Sequence, residues 1–239
     1  MSQSSVLKPF DPAVAGTPER EWRRMLHGAA PWEPRKGPLV VAAPHPDDEI
    51  LGAGGLIHAW AASGEPVTVI SVTDGEAADL SRERLDLVRR KELLDALRVL
   101  SPVHINLQRL AIPDGKVVNH AVKVRDVIAD YATAGATIVA PYEFDGHPDH
   151  EVVGRACAAV ASTSGVTLAR YPIWTWHHTV PKAVESLRWV RFPLTHTTRR
   201  AKARALQCFE SQLRPSSGRP IIPANVLAYF QRPYEAFVL

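Results

Sequence analysis

A short valine-rich run that ends in a cluster of polar residues narrows the choice of fold more than any other part of this sequence. Residues 38–43 have the composition of a strand that is buried on both faces. Residues 45–49 then bring one histidine and three acidic side chains together, and apolar residues recur at roughly helical spacing beyond them. The stretch therefore predicts a strand, a tight polar turn and a helix. Open α/β sheets bind ligands outside strand ends of this kind.

The rest of the chain repeats the alternation of strand and helix. Strands are predicted at residues 66–73, 103–107 and 137–140, and helices at 81–100, 120–134 and 149–162. Short connections between such elements predict βαβ units, and hence a Rossmann-like three-layer α/β sandwich with a mostly parallel central sheet. The last third is less regular, with a strand at 167–172, an aromatic-rich loop at 173–178, an edge strand at 187–192, a basic helix at 198–212 and an extended segment at 234–239. Residues 1–37 are predicted to form an N-terminal arm with a short helix near 19–26, and residues 38–239 a single domain.

Composition excludes several classes of protein. The 239 residues suit one large α/β domain, and a net charge of +3 with scattered Lys and Arg does not indicate nucleic-acid binding. Cys157 and Cys208 lie in helical patterns without CxxC spacing, which indicates core thiols rather than a disulfide framework. No apolar run approaches the ~20 residues of a transmembrane span. The N-terminus lacks the pattern of a signal peptide, so a cytoplasmic protein is expected.

The polar turn carries side chains that bind metals. A helix that begins near Asp48 can bring its carboxylate close to the His45 imidazole, with Asp47 beside them. Histidine and carboxylate are zinc-type ligands, and a catalytic site needs three protein ligands and an open position. A second run of this kind, residues 146–150, follows the predicted strand at 137–140 and again precedes a helical pattern. Two strand ends with His/Asp turns can face each other across one pocket.

These two turns carry a family resemblance. Pro44-His-Pro-Asp-Asp-Glu49 and Gly146-His-Pro-Asp-His150 resemble the paired signatures of the PIG-L/LmbE-like zinc-dependent N-deacetylases. A weaker resemblance continues through residues 202–212 and Arg232-Pro-Tyr-Glu235, so that it covers residues 38–239. Members of that family remove an acyl group, usually acetyl, from an amino sugar. The resemblance implies the same reaction here, with a free amine and acetate as products.

The resemblance also implies a ligand set for one zinc ion per chain, formed by His45, Asp48 and His150. Nitrogen and carboxylate ligands in an open site suit zinc, although iron or cobalt can substitute. Each residue has a simpler alternative. Asp48 can cap the helix that follows it, and His150 can be a solvated histidine at a helix start.

Two further residues match catalytic positions of the family. Asp47 matches the general base, which takes a proton from water and returns it to the leaving amine, and His147 matches the residue that stabilises the oxyanion. The alternative for Asp47 is a turn-forming role. Asp145 and Asp149 are both candidates for a bond that orients His147. Where some relatives carry a tyrosine before the histidine motif, this chain has Phe144-Asp-Gly146.

The substrate-binding residues implied by the resemblance are Arg89 and Asp114. Arg89 and Glu92 match an R-x-x-E pattern, and Asp114 lies in a loop that contacts substrate in the family. The alternatives are an ordinary i, i+3 surface pair and an ordinary Asp-Gly turn. Trp174 and Trp176, with His177 and His178, are candidates for an aromatic wall against a sugar ring; core packing or an oligomer contact is the alternative for the tryptophans. Gly52-Ala-Gly-Gly55 does not fit a dinucleotide fingerprint and indicates close helix–sheet packing.

The partner expected from the resemblance is an amino-sugar-containing small molecule or glycoconjugate, and a homo-oligomer stays open. Two rival functions also stay open at this point. One is a zinc amidohydrolase that removes a longer acyl chain or acts on a non-sugar amide, which a deep apolar slot would favour. The other is a non-catalytic sugar-binding module, which would have no use for a general base at Asp47.

Overall fold

The valine-rich run lies in the middle of an eight-stranded sheet. A computed structural model of the chain describes residues 14–79, 83–101, 105–214 and 219–239, and every count below refers to these residues. The strands are β1 (Ala30–Pro31), β2 (Leu39–Ala43), β3 (Val67–Thr73), β4 (Asn106–Ile112), β5 (Thr137–Pro141), β6 (Thr167–Tyr171), β7 (Trp189–Pro193) and β8 (Tyr234–Val238). Their order in the sheet is β1-β7-β8-β6-β5-β2-β3-β4.

Helices cover both faces of the sheet. They are α1 (Glu19–Leu26), α2 (Asp48–Ala62), α3 (Leu85–Leu100), α4 (Ala121–Tyr131), α5 (Pro148–Ser164), α6 (Thr175–His178), α7 (Pro181–Val184), α8 (His196–Leu206), α9 (Glu210–Leu213) and α10 (Ala224–Leu227). All strand pairs are parallel except those of β8, which runs antiparallel to β6 and to β7. The predicted α/β sandwich with a mostly parallel sheet is therefore confirmed.

Strand β2 is buried on both faces, as its continuous apolar run predicted. Leu39 and Val41 belong to the hydrophobic cluster that also contains residues of α1, α2, α3 and α8. Val40 and Ala42 belong to the second cluster, on the side of α4 and α5. Successive side chains of a strand point to opposite faces, so each face of β2 needs apolar residues. All five residues of β2 are buried.

The third predicted strand was placed too early in the sequence. Strand β4 spans Asn106–Ile112, whereas residues 103 and 104 of the predicted strand lie outside the described residues. β4 is an edge strand that pairs with β3 alone, and most of its residues are only partly buried. A half-exposed edge strand needs no continuous apolar run. The polar residues after Asn106 were therefore not predicted to belong to a strand. The start predicted for the third helix, Ser81, also lies outside the described residues, and α3 begins at Leu85.

The last third of the chain differs most from the prediction. The single basic helix predicted at 198–212 is two helices, α8 and α9, because the chain turns at the fully buried Phe209. Residues 175–178 form the short helix α6 rather than a loop. The extended segment at the end is β8, which lies inside the sheet between β7 and β6.

The described part of the N-terminal arm packs closely against the rest. Helix α1 forms where it was predicted, and Trp22 and Leu26 on it are fully buried. The arm also supplies β1, which pairs with β7. The division at residue 38 stays a prediction. Within the described ranges, no helix combines the length and apolar character needed to cross a bilayer.

Candidate active site

The two His/Asp turns meet because the strands that precede them are neighbours. Strands β2 and β5 pair in parallel, so their carboxyl ends lie at the same edge of the sheet, and α2 and α5 begin there. Asp47 occupies the position before α2 with a φ of 126°, which is unusual for a residue with a side chain. Its backbone N–H donates a hydrogen bond to Glu49 Oε2 at 3.2 Å. Strained backbone of this kind is common at functional sites.

Three of the predicted ligand atoms form a compact triangle. His45 Nδ1 lies 3.2 Å from His150 Nε2 and 3.3 Å from Asp48 Oδ2. The third side, from His150 Nε2 to Asp48 Oδ2, is 3.2 Å. A tetrahedral zinc ion with bonds of about 2.0–2.1 Å separates its ligand atoms by about 3.3–3.4 Å. The donor set and its spacing therefore fit a zinc ion.

Carboxylates hold the far side of both imidazoles. Asp145 Oδ2 lies 2.9 Å from His150 Nδ1, and Asp114 Oδ1 lies 3.0 Å from His45 Nε2. Because an ionised carboxylate only accepts hydrogen bonds, each of these ring nitrogens carries the hydrogen. The opposite nitrogens, Nε2 of His150 and Nδ1 of His45, face the triangle and present lone pairs to it when the rings are neutral, as metal binding requires. Carboxylate–histidine pairs of this kind are typical outer-shell partners of metal ligands.

The electrostatics of the triangle favour positive charge. Burial lowers the pKa of His150, but the Asp48 and Asp145 carboxylates raise it more, to about 9. Burial raises the pKa of Asp48, but the two histidines lower it by more, so that the pKa lies well below its usual range. A cation between these groups is therefore stabilised, and a metal ion supplies such a charge. Two other groups of three residues share His45 and bring their possible ligand atoms within 4.8 Å of one another. One contains His147 and His150, and the other contains Asp114 and Asp149.

Arg89 holds Asp47 beside the triangle. Its Nη2 donates to Asp47 Oδ2 at 3.0 Å and to the Pro46 carbonyl at 2.6 Å, while Nη1 donates to the Gly75 carbonyl at 3.0 Å. Arg89 is only 3% exposed, so it is not part of a surface pair with Glu92. Burial raises the pKa of Asp47 to about 7, and the Arg89 charge opposes that shift.

His147 is the residue before α5, and its ring lies beside those of the two other histidines. Its ring centroid lies 4.8 Å from that of His45 and 4.8 Å from that of His150. Its Nδ1 accepts a hydrogen bond from the Asp149 backbone N–H at 3.3 Å. Burial and the neighbouring His150 and His45 charges lower the pKa of His147 to about 3. A neutral His147 that accepts at Nδ1 carries its hydrogen on Nε2.

The two carboxylates considered for orienting His147 bond to other groups. Asp145 is fully buried and, besides His150, accepts hydrogen bonds from three successive backbone N–H groups, at residues 173–175. The Asp149 carboxylate accepts from the Gly115 and Val117 backbones at 2.8 and 3.3 Å. Asp145 thus connects His150 to the aromatic segment that contains Trp174. Sequence patterns gave no signal for this long-range connection.

A cavity of about 400 Å³ opens beside the triangle. Its polar end is formed by the motif residues and their partners, and the remainder by mostly apolar side chains. The lining residues are His45, Asp47, Asp48, Leu51, Ala77, Ala78, Arg89, Asp114, Gly115, His147, Trp174, Gln212, Ile221 and Ile222. Trp176, the other tryptophan considered for a sugar-binding wall, is instead buried in the core against Trp22.

A buried ion pair joins helix α2 to the end of the chain, and the sequence did not predict it. Glu235 accepts hydrogen bonds from the Gly55 and Leu56 backbone N–H groups at 2.7 and 2.9 Å. Lys202 Nζ donates to the Leu51 carbonyl and to Glu235, both at 2.7 Å. We call this arrangement the Lys202–Glu235 clasp.

The glycines of α2 make room for these contacts. A Cβ on Gly55 would lie 2.4 Å from the Leu194 side chain and 3.1 Å from Glu235 Oε1. A Cβ on Gly52 would lie 2.3 Å from the ring of Tyr171 on β6. The predicted close packing of helix on sheet is therefore confirmed for Gly52, and Gly55 serves the clasp.

Comparisons with known proteins agree with this geometry. Residues 39–161 match the family model described as PIG-L: GlcNAc-PI de-N-acetylase. Over 136 residues the chain is 30% identical to the probable N-acetyl-alpha-D-glucosaminyl L-malate deacetylase 2 of Bacillus cereus, covering 52% of this chain and 60% of that protein. It is also 36% identical over 72 residues to the 1D-myo-inositol 2-acetamido-2-deoxy-alpha-D-glucopyranoside deacetylase of Nocardia farcinica, covering 27% of this chain and 24% of the relative.

Solved structures show the same fold over most of the chain. The zinc-inhibited form of the teicoplanin deacetylase Orf2 superposes with a TM-score of 0.64 at 19% identity, covering 84% of this chain and 97% of that one. The chain spans less than two thirds of the length of the curated relatives above. The family match, in contrast, takes in both His/Asp turns and more than half of the chain. The chain belongs to the PIG-L family of de-N-acetylases.

Proposed function

We propose that this chain is a zinc-dependent N-deacetylase that removes the acetyl group from an N-acetylglucosamine moiety. The observation that carries the proposal is the triangle of ligand atoms with the buried carboxylate of Asp47 beside it. The named activities of the Bacillus cereus and Nocardia farcinica relatives support an N-acetylated amino sugar as the substrate. A module that only binds sugars would not need a buried carboxylate held by an arginine next to such a triangle.

His45, Asp48 and His150 would hold the zinc ion, because their donor atoms have its preferred chemistry and spacing. Zinc, when bound, supplies a Lewis acid that makes water more acidic and polarises a carbonyl oxygen. Asp145 and Asp114 fix the ring nitrogens that carry hydrogen and so keep the other nitrogens free to bind.

The proton transfers are assigned to Asp47. As the general base, its carboxylate takes a proton from the attacking water while the new bond forms between the water oxygen and the acyl carbon. It then gives that proton to the amine nitrogen as the C–N bond breaks, which yields a free amine and acetate. The Arg89 guanidinium holds the carboxylate in place through Nη2. Arg89 therefore acts on the reaction through Asp47.

His147 is assigned to the acyl oxygen. The Asp149 backbone N–H occupies Nδ1, so Nε2–H of the neutral ring is the group that can donate a hydrogen bond. Such a donor stabilises the negative charge that develops on the acyl oxygen. A neutral imidazole is sufficient for this role. Asp114, which bonds to His45 and to the Ala77 backbone, lines the cavity and keeps its proposed contact with substrate.

The proposal is tested on purified protein by elemental analysis and by an assay for amine release. The metal-free protein and the zinc-restored protein are incubated with N-acetylglucosamine conjugates. We expect about one zinc ion per chain, and release of free amine only after zinc is restored. A protein that retains no metal at this site, or one that releases amine equally well without metal, would contradict the mechanism.

Asp145→Asn is expected to weaken zinc binding by about 10- to 100-fold, because a neutral amide supports His150 less well than a carboxylate. The measurement is a competitive titration with a chromophoric chelator. Asp130→Asn on the exposed side of α4 is the matched control and should leave zinc affinity unchanged. Equal zinc affinity in the Asp145 variant and the control would show that the carboxylate has no part in holding the site.

A further inference from the structure

The cavity beside the triangle has two unlike halves. One half consists of Arg89 and the histidines and carboxylates in and around the triangle. The other contains the side chains of Leu51, Trp174, Ile221 and Ile222, which we call the apolar wall. Leu51 and Ile222 are almost fully buried, at 3% and 4% exposure, and Trp174 is half-buried. A substrate bound at the triangle would therefore extend along apolar side chains.

The charged groups of the cavity disfavour an anionic substrate. Three carboxylates line it, those of Asp47, Asp48 and Asp114. Among the described residues that line the cavity, Arg89 is the one Lys or Arg. Both of its terminal nitrogens already donate to Asp47 and to backbone carbonyls. Away from the proposed metal site, a carboxylate or phosphate on the substrate would meet no uncommitted Lys or Arg among the described residues of the lining.

Gln212 is an uncharged polar residue at the lining of the same cavity. Ser211 Oγ donates to Glu92 Oε2 at 2.6 Å, so it accepts from Gln212 Nε2 at 2.7 Å. This relay fixes which end of the Gln212 amide is the oxygen. Gln212 is 1% exposed, and its Oε1 has no hydrogen-bond partner among the described residues. Gln212 is uncharged and its amide nitrogen is already engaged, so it supplies no cation for an anionic substrate.

We infer that the substrate carries an uncharged apolar group, alkyl or aryl, that packs on the apolar wall while the acylated nitrogen of the substrate lies at the triangle. This inference rests on the proposed deacetylase function and names its substrate class. The apolar group can belong to the aglycone of an amino sugar or to the acyl chain itself, and both attachments present the same surface to the wall. Acidic conjugates are then poor substrates, in contrast to the malate conjugate in the name of the Bacillus cereus relative.

Two substrate series separate the two attachments. The first consists of N-acetylglucosaminides with methyl, hexyl, phenyl or malyl aglycones. The second consists of methyl glucosaminides with N-acetyl, N-butanoyl or N-hexanoyl groups. Each methylene buried on the wall is expected to raise kcat/KM by about fourfold. We expect hexyl over methyl to gain at least about 10-fold in one series, and the malyl conjugate to be the poorest of the first series.

Substitutions in the wall test where the preference arises. Trp174→Ala should bring the hexyl-to-methyl ratio of kcat/KM close to one. Ile221→Lys, which places a cation at a half-buried position of the wall, should raise the malyl-to-hexyl ratio by about 10-fold or more. Val122→Ala, at an exposed position on α4, is the matched control and should keep the wild-type ratios. Thermal unfolding of each variant shows whether it is folded.

The outcomes separate this inference from the proposed function. Wild-type protein that cleaves the malyl conjugate as well as the hexyl conjugate overturns the inference and leaves the deacetylase function intact. No amine release from any member of either series overturns the proposed function. In that case, calorimetric titration with hexyl and malyl glucosaminides, which carry the free amine, still decides the inference. Tighter binding of the hexyl compound by wild type but not by Trp174→Ala supports it, and equal or absent binding overturns it.

Discussion

Asp47→Asn is expected to lower kcat by about 10²-fold or more while the protein keeps its fold and its zinc. Asparagine has nearly the same shape and retains an oxygen that can accept from Arg89, so the loop before α2 can stay in place. An amide cannot take a proton from water at neutral pH. The variant therefore removes the proposed base and leaves the triangle of ligand atoms as it is.

The measurement combines three observations on one sample of the Asp47 variant. Circular dichroism reports the fold, elemental analysis the zinc content, and an assay for amine release the turnover. Asp126→Asn, an exposed carboxylate on α4, is the control and should keep wild-type turnover. Near-normal turnover of a zinc-loaded Asp47→Asn protein would remove Asp47 from the role of base.

Glu235→Leu is expected to destabilise the protein by about 3–5 kcal/mol, because it leaves the Lys202 ammonium buried without its partner. Lys202 and Glu235 are 4% and 3% exposed, so water cannot replace the lost carboxylate. Burial already lowers the pKa of Lys202, and the Glu235 charge opposes that shift. The free energy of unfolding, measured with urea, gives the size of the loss.

The double variant Lys202→Met/Glu235→Leu separates the charge from the rest of the clasp. With both side chains apolar, no charge is left buried without its partner. Replacing both members of a buried ion pair with apolar residues is often neutral or stabilising. We therefore expect the double variant to recover most of the lost stability. A double variant as unstable as Glu235→Leu would show that the clasp contributes through its shape or its bonds to α2 rather than through paired charge.

The parts of the site that the sequence predicted are those encoded within short stretches. Residues 44–49 and 146–150 each follow a strand and contain the start of a helix, so the spacing within each motif already defines the local geometry. The pairing of the two motifs followed from the alternation of strands and helices, which predicts a parallel sheet with its carboxyl ends at one edge. The roles assigned to Asp47, His147 and the ligand residues stay proposals that the variants above address.

The parts that the sequence did not predict depend on contacts between distant residues. Asp145 reaches the backbone at 173–175, and Glu235 reaches that of Gly55, 180 positions away. Periodicity describes only near neighbours along the chain, so neither contact leaves a pattern in it. Strand β4 was misplaced for a different reason. Its exposed edge position removes the apolar signal by which buried strands are recognised.

The position of β8 inside the sheet has a consequence for the order of folding. The pairings among β2, β3, β5 and β6 join residues no more than about 98 positions apart, as Leu39 and Thr137 are, whereas the pairing of β1 with β7 joins residues about 160 positions apart. β1 and β7 connect to the other strands only through β8, which comes after all of them in the sequence. Contacts between such distant segments form slowly because the chain must first close a long loop. The strands that present the two His/Asp turns can thus assemble first, and the half of the sheet that carries the N-terminal arm is completed last.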